Sequence, residues 1–393
     1  MMKRLFIIGA SVLQLPAIKK AKEMGFYVGV ADYNPEAVGI KFADKYFNVS
    51  TIDEQGIYRA AKDFRADGIM TLATDMPMRS LAYAAEKLNL PGISYETAVK
   101  ATDKGEMIKA FAANGVEHPW YFVLQQKDDL HNIIEKIKYP CISKPVDNAG
   151  SRGVVLVKSK EELFAAFEYS SEQSRNGGVI IEEYLEGQEY SVEIMVLQNI
   201  PKVLQVTDKL TTGAPHFVEM GHNQPSLSND ENIEKIKNLA CRAVQALGIN
   251  IGPAHVEIML TKEGPKMIEL GARMGGDCIT THLVPLSTGV DMVKATIELS
   301  CGITPNIEPL FNKGSAIRYF PSVKGIIKSI SNVEQAKKIR EIKEITFVHR
   351  AGDMVSDVAS STDRIGFVIA QAETAAEAIK ACNEATSIVK IEE

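Results

Sequence analysis

The stretch that most restricts the fold is Ala254–Asp277, AHVEIMLTKEGPKMIELGARMGGD. Two runs of alternating apolar and polar residues flank Thr-Lys-Glu-Gly-Pro, the pattern of a β-hairpin. On the first run His255, Glu257 and Met259 share one face, and Val256, Ile258 and Leu260 share the other. On the second, Glu269 points opposite to Ile268 and Leu270. A turn centred near Glu263 sets Glu257 against Glu269. Cross-strand neighbours lie roughly 5 Å apart at Cβ, and like charges at that spacing weaken a sheet. A hard divalent cation between them converts the repulsion into ligation. Arg273, just past the second run, adds a fixed positive charge. The plain alternative is an exposed hairpin with two solvated glutamates.

A chain of 393 residues, 45% hydrophobic and 24% charged, has the composition of a globular protein with two or three domains. Its net charge of −6 gives no basic footprint for nucleic acid. Five scattered cysteines without a C-x-x-C pair indicate neither a disulfide framework nor a zinc site. The histidines show no H-E-x-x-H spacing. Lys3-Arg4 before Leu5–Leu15 imitates a signal peptide, but Gln14 and Pro16 interrupt the apolar run and no A-x-A site follows. No apolar run is long enough to span a bilayer. The expectation is a reduced, cytoplasmic protein.

Arg4–Ile8 reads as a strand, followed by a helix with Leu13, Ile18, Ala21 and Met24 inward, and by a strand at Tyr27–Ala31. The alternation continues through Tyr58–Phe64, Gly68–Ala73 and Leu81–Leu88, which predicts a parallel sheet flanked by helices. Gly9-Ala-Ser-Val-Leu-Gln is not the G-x-G-x-x-G of a dinucleotide site, although Asp32 lies where a ribose-binding acid would. Gly9 and Ser11 either hold an anionic group or make a tight turn. A helix opens at Thr102 or Asp103, with Lys104 in its first turn, where the dipole disfavours a cation unless an anion is bound. Strand Tyr139–Lys144 leads into Pro145-Val-Asp-Asn-Ala-Gly-Ser-Arg-Gly and strand Val154–Lys158: a lysine before a glycine-rich loop, suited to cradling phosphate. Val179–Tyr184 is a strand. Along Glu189–Val196, the face carrying Glu189 and Glu193 is expected to open on a cleft. Ser228 and Glu231 predict a capping box for the helix that Gly248 ends. Past residue 310 the pattern is β-rich (Ala316–Phe320, Ile326–Ile330, Glu344–Val348, Arg364–Ala370), closing with a helix capped by Thr374 and Glu377.

Taken in order, the two lysines, the glycine-rich loop, E-E-Y-L, E-Y-S-V-E and the paired-glutamate hairpin with its arginine resemble the ATP-grasp superfamily over nearly the whole chain. Within it they are most similar to the carboxylate–amine branch, the L-amino-acid (dipeptide) ligases. The resemblance implies an α/β and α+β multidomain protein of ATP-grasp architecture. Residues 1–100 would form a Rossmann-like pre-ATP-grasp domain and 101–310 a two-lobed ATP-grasp domain, with a nucleotide lobe at about 115–190 and a metal and catalytic lobe at about 191–310. Residues 311–393 would form a β-rich α+β lobe. By position it implies ATP contacts at Lys104, Lys144, Asn148, Gly150, Ser151, Gly153, Glu182, Glu183, Leu185 and Glu189. It implies Mg²⁺ (or Mn²⁺) ligands at Glu257 and Glu269, and catalytic roles for Arg273, Lys144 and Glu269. The family's usual asparagine two residues after the second glutamate is here Gly271, which leaves one oxygen ligand missing.

The implied chemistry is ATP-dependent amide formation through an acyl phosphate, with small-molecule carboxylate and amine substrates and no nucleic-acid or membrane partner. A homodimer is compatible with it. Substrate candidates are Lys209, Glu219 and His222 in the Asp208–Ser226 segment, then Arg273, Gly276, Asp277 and Arg318, with His282 near the acceptor. Two other readings stand: an ATP-grasp enzyme activating bicarbonate or formate, and a non-catalytic ATP-binding scaffold, favoured only by Gly271.

Overall fold

The computed structural model describes residues 2–148, 150, 152–214, 217–321 and 323–393. Strands β1 (Arg4–Ile8), β2 (Tyr27–Asp32), β3 (Lys45–Asn48) and β4 (Gly68–Met70) form the expected parallel sheet, in the order β3-β2-β1-β4. Strands β1, β2 and β4 are near-continuous apolar runs because helices Leu15–Glu23, Glu54–Phe64 and Met78–Leu88 cover the sheet's faces, whereas β3, at the edge, is exposed at both ends. Gly9 makes a tight turn: at φ 94° its Cα lies where a Cβ would meet the Gln14 side chain at 2.9 Å. The turn's polar groups are spent internally, with Ala10 N donating to Asp32 Oδ2 at 2.8 Å and Ser11 Oγ to Gln14 Oε1 at 2.7 Å.

A second, antiparallel sheet has the order β5-β8-β6-β7, from Tyr121–Leu124, Cys141–Pro145 (β6), Val155–Val157 (β7) and Val179–Glu183 (β8), the first of these being β5. The third sheet holds β9 (Gln188–Leu197), β10 (Ile200–Thr211), β11 (Glu219–Gln224), β12 (Gly252–Thr261), β13 (Gly264–Gly271) and β14 (Gly314–Tyr319). Two short pairs, Gly325–Ile326 (β15) with Met354–Val355 (β18) and Ser329–Ser331 (β16) with Lys390–Glu392 (β20), lie beside it. Ile342–Phe347 (β17) and Gly366–Ala372 (β19) complete the large sheet, ordered β13-β12-β9-β10-β11-β14-β19-β17. Strands on both sides of residue 310 therefore share one sheet.

One continuous core joins the parallel domain to the hairpin. Phe6, Phe64 and Leu81 pack through Met107 and Phe111 to Val192, Val256, Ile258 and Leu270. This seats the loop after β4 over the hairpin's other face. Helix Asp230–Leu247 is capped by Asn229, whose side chain accepts from Asn232 N at 2.9 Å, and not by Ser228. Asn and Ser cap equally well, so the position of the first helical turn decides. Thr374 and Glu377 form the predicted capping box. No helix of the described residues is long and apolar enough to cross a membrane, and the five cysteines are free.

Candidate active site

Glu257 and Glu269 are register partners across β12 and β13. The two-residue turn pairs Thr261 with Gly264 and Met267 with Ile258, a register that would set Glu257 against Ile268. A β-bulge between Glu257 and Ile258 slips the pairing by one residue and brings the carboxylates opposite each other.

Three cations meet them. Lys104, at the start of helix Lys104–Ala113, donates to Glu269 Oε1 at 3.0 Å and to the Asn148 carbonyl at 2.6 Å. Lys209 on β10 lies 6% exposed among three acids: Glu189, Glu257 at 3.2 Å and Glu219 at 3.6 Å. Burial opposes its charge, but Glu257, Glu189 and Glu219 hold its pKa well above the usual lysine value. His255 Nδ1 is 2.8 Å from Glu193 Oε1, and its Nε2 is 3.3 Å from Glu257 Oε1. Burial disfavours the imidazolium, yet Glu193 and then Glu257 raise its pKa to about 9. Burial likewise works against an ionised Glu257, and Lys209, His255 and Arg273 pull its pKa well below the ordinary range. Glu189 goes the other way: burial, with Glu257 and Glu219 nearby, raises it against Lys209.

Two cavities meet at this cluster. The larger, about 840 Å³, lies between the parallel domain, the hairpin and the C-terminal lobe. The narrower, about 220 Å³, runs between β6, β8 and the hairpin. Lys104, Asn148, Gly150, Glu257, Glu269 and Arg273 belong to both walls. The narrow cavity is apolar at one end (Ile142, Leu185, Met259, Met267, Ile268) and charged at the other, and it takes in Glu182, Glu183 and Glu189. Lys144, buried in its wall, pairs with Glu182 at 2.5 Å, and Glu183 holds Lys266 at 3.2 Å.

Residues Glu219, His222, Gly276 and Asp277 line the larger cavity. Asp277 is held by the two terminal nitrogens of Arg364, each at 2.7 Å, and Arg364 lies over the Tyr319 ring at 3.8 Å from its centroid. His222, 1% exposed, has no hydrogen-bond partner on either ring nitrogen among the described residues; its Nε2 is 3.5 Å from Asp277 Oδ2, at ion-pair distance but outside hydrogen-bond geometry. Burial raises the Asp277 pKa, and Arg364 and His222 more than reverse that, leaving it below the usual range. A carboxyl that titrates lower folded than unfolded supplies stability in full above its unfolded pKa of roughly 3.9 and loses it as pH falls further. Asp277→Asn is therefore expected to lower the melting temperature at pH 7, with the gap from wild type narrowing below about pH 4 as the carboxyl of the unfolded wild-type chain takes up a proton that the folded one does not. A constant gap across thermal scans from pH 7 to pH 3 contradicts this assignment.

Several expectations need correction. Glu193 does not face a cleft: it is 0% exposed, under Gly275 and against His255, because the parallel domain closes that side of β9. Arg318 does not reach either cavity; its Nη1 donates to the carbonyls of Ile317 (2.8 Å) and His222 (3.1 Å) within the sheet. His282 turns away to Glu344 at 3.4 Å. Gly153 lines neither cavity. At φ 79° it packs against Pro145 and Gln173, and its carbonyl accepts from buried Ser170. Ser151 lies outside the described residues. Asp75, Arg79 and Ser360–Thr362 line the larger cavity without having been foreseen. Asp75 follows β4, and ligands of parallel sheets gather beyond the carboxyl ends of strands, so that one was findable. Nothing local marks Arg364 or Ser360.

The donor set fits a hard divalent cation. Mg²⁺ takes one or two protein carboxylates and completes its octahedron with phosphate oxygens and water. Glu257 and Glu269 offer two, and the described residues hold no cluster of three or more His, Cys, Asp or Glu that would make an all-protein cage.

This fold and this arrangement are those of an ATP-grasp enzyme. The ATP-grasp domain model matches residues 137–281, and the L-amino acid ligase C-terminal domain 2 model matches 318–393. Among curated proteins, alanine–anticapsin ligase of Bacillus subtilis is 26% identical over 316 residues, covering 74% of this chain and 66% of that protein. Formate-dependent phosphoribosylglycinamide formyltransferase of Prochlorococcus marinus is 28% identical over 415 residues, covering 100% of this chain and 99% of that protein. The crystal structure of an L-amino acid ligase from Bacillus licheniformis superposes with a TM-score of 0.85 at 24% identity, covering 99% and 98% of the two chains.

Proposed function

We propose that the chain is an ATP-dependent carboxylate–amine ligase, forming an amide through an acyl phosphate with release of ADP and phosphate. The observation that carries this reading is the Glu257–Glu269 pair, set with Lys104, Lys209 and Arg273 where a narrow, half-apolar cavity opens into a wide polar one. The narrow cavity suits adenosine: its apolar end takes the base against Leu185 and Met267, and Glu189 reaches the ribose. Lys104 and Lys144 are within the phosphate end. Mg²⁺ (or Mn²⁺), when held by Glu257 and Glu269, neutralises charge on the phosphates.

The chain's own residues then divide the work. A carboxylate is a poor electrophile until its oxygen becomes a phosphate leaving group. The transferring phosphoryl is stabilised by fixed positive groups more than by covalent chemistry. Arg273 and Lys104 supply such groups at the junction, each held in place by a half-buried carboxylate, Asp75 and Glu269 respectively, so that little reorganisation is needed. The wide cavity has room for an acid and an amine together. The His222 ring, buried and with no hydrogen-bond partner among the described residues, lies in the wall of this cavity 3.5 Å from Asp277.

The test is ADP release over a panel of carboxylate–amine pairs, with mass detection of the condensed product. We expect ADP only when both partners are present. A second reading, formate or bicarbonate activation, is favoured by the full-length likeness to the formyltransferase. It predicts ADP release with formate or bicarbonate and no amino acid, and that result would replace the ligase reading.

A further inference from the structure

Gly271 is not in a left-handed backbone conformation, so its missing side chain answers to space. A Cβ there would lie 2.9 Å from Asp75 Oδ1 and 3.0 Å from both Cζ and Nε of Arg273. That space is filled by an ion pair between the domains. Arg273 Nε donates to Asp75 Oδ1 at 3.0 Å and Nη2 to Oδ2 at 2.9 Å, while Nη1 donates to the Met274 carbonyl at 3.2 Å. A guanidinium has five N–H groups in a rigid fork. Those contacts use three, leaving one on each Nη for two oxygens of a phosphoryl or carboxylate. Asp75 is itself tied down: its carbonyl accepts from Met78 N at 3.0 Å, and Ala73 two residues before it is left-handed at φ 52°.

We propose that Asp75 is a positioning residue, delivered by the loop after β4 into the space Gly271 leaves, which clamps Arg273 so that its two remaining N–H groups are presented at the junction of the two cavities. It touches no reacting atom and acts through Arg273. Docking of the parallel domain on the hairpin and alignment of the arginine become one event, and Gly271 is what permits it. The absent side chain at 271 thus has a use of its own, separate from metal ligation.

The kinetic arm of the test rests on the ligase reading; the structural arm does not. In Asp75→Asn one carboxylate oxygen becomes an NH₂ that faces an N–H donor. Misplacing a positioned group by about 1 Å costs about 10²-fold, so kcat is expected to fall by about that factor. KM for ATP should stay within about twofold, since the adenosine contacts are untouched. Gly271→Ala should lower kcat in the same way, and the double variant should be no worse than either single one, because both act on one contact. A folded Asp75→Asn protein with wild-type kcat, or additive losses in the double variant, would overturn the proposal. If the wild type releases no ADP with any pair, the ligase reading fails, and crystals of the two variants decide this one. A guanidinium displaced from the Met274 carbonyl supports the clamp; an unmoved one refutes it.

Discussion

Glu269→Ala should abolish ADP release while the protein stays folded and still binds adenine nucleotide. Removing one preorganised contact to a developing charge costs ~10²–10³ in rate, and this substitution removes more than one. Glu269 is one of two opposed carboxylates and also the partner that fixes Lys104. The narrow cavity keeps its apolar end, Lys144 and Glu189, so nucleotide binding should survive but cease to respond to Mg²⁺. Calorimetric titration of ATP with and without Mg²⁺, beside an ADP-coupled assay, reads both quantities. Near-normal turnover in this variant would remove the metal assignment, and undiminished Mg²⁺ dependence would move it to another residue.

The largest effect on stability is expected at Lys209. Its side chain is 3% exposed, with the ammonium between Glu189, Glu257 and Glu219. Lys209→Met keeps much of the apolar stem but leaves three neighbouring carboxylates without their common partner. Breaking a buried charge cluster by removing one member typically costs about 3–5 kcal/mol, mostly from the charge left unpaired. Mg²⁺ can replace the lost positive charge next to Glu257, so it should raise the melting temperature of this variant more than that of the wild type. An unchanged melting temperature would mean that the three acids find other partners, and the charge balance argued for this site would be wrong.

The Asp75 clamp and the acid limb at Asp277 test separate parts of the same wall. Loss of the first should leave nucleotide affinity in place, whereas loss of the second should change stability with pH. Their independence matters because Asp75 comes from the parallel domain and Arg364, the partner of Asp277, from the C-terminal lobe. The wide cavity exists only when all three parts are assembled.

Much of this molecule was legible in order along the chain. The 3.6- and 2-residue periods located β1, β2, β4 and the helices of the parallel domain but not the short β3, and alternation on Ala254–Asp277 put Glu257 and Glu269 on one face, because side-chain direction in a strand follows from position alone. Tertiary structure decided what lies beyond that. The bulge after Glu257 shifts the hairpin by one residue, and without it the two carboxylates would not be opposed. The surroundings of Glu193, Arg318 and His282 are not legible locally, because exposure and side-chain direction depend on what packs over a strand or a helical turn, and that comes from distant segments. Asp75 and Arg273 are 198 residues apart; no local pattern couples them, since only the shared core that docks one domain on the hairpin brings an aspartate into the space a glycine leaves.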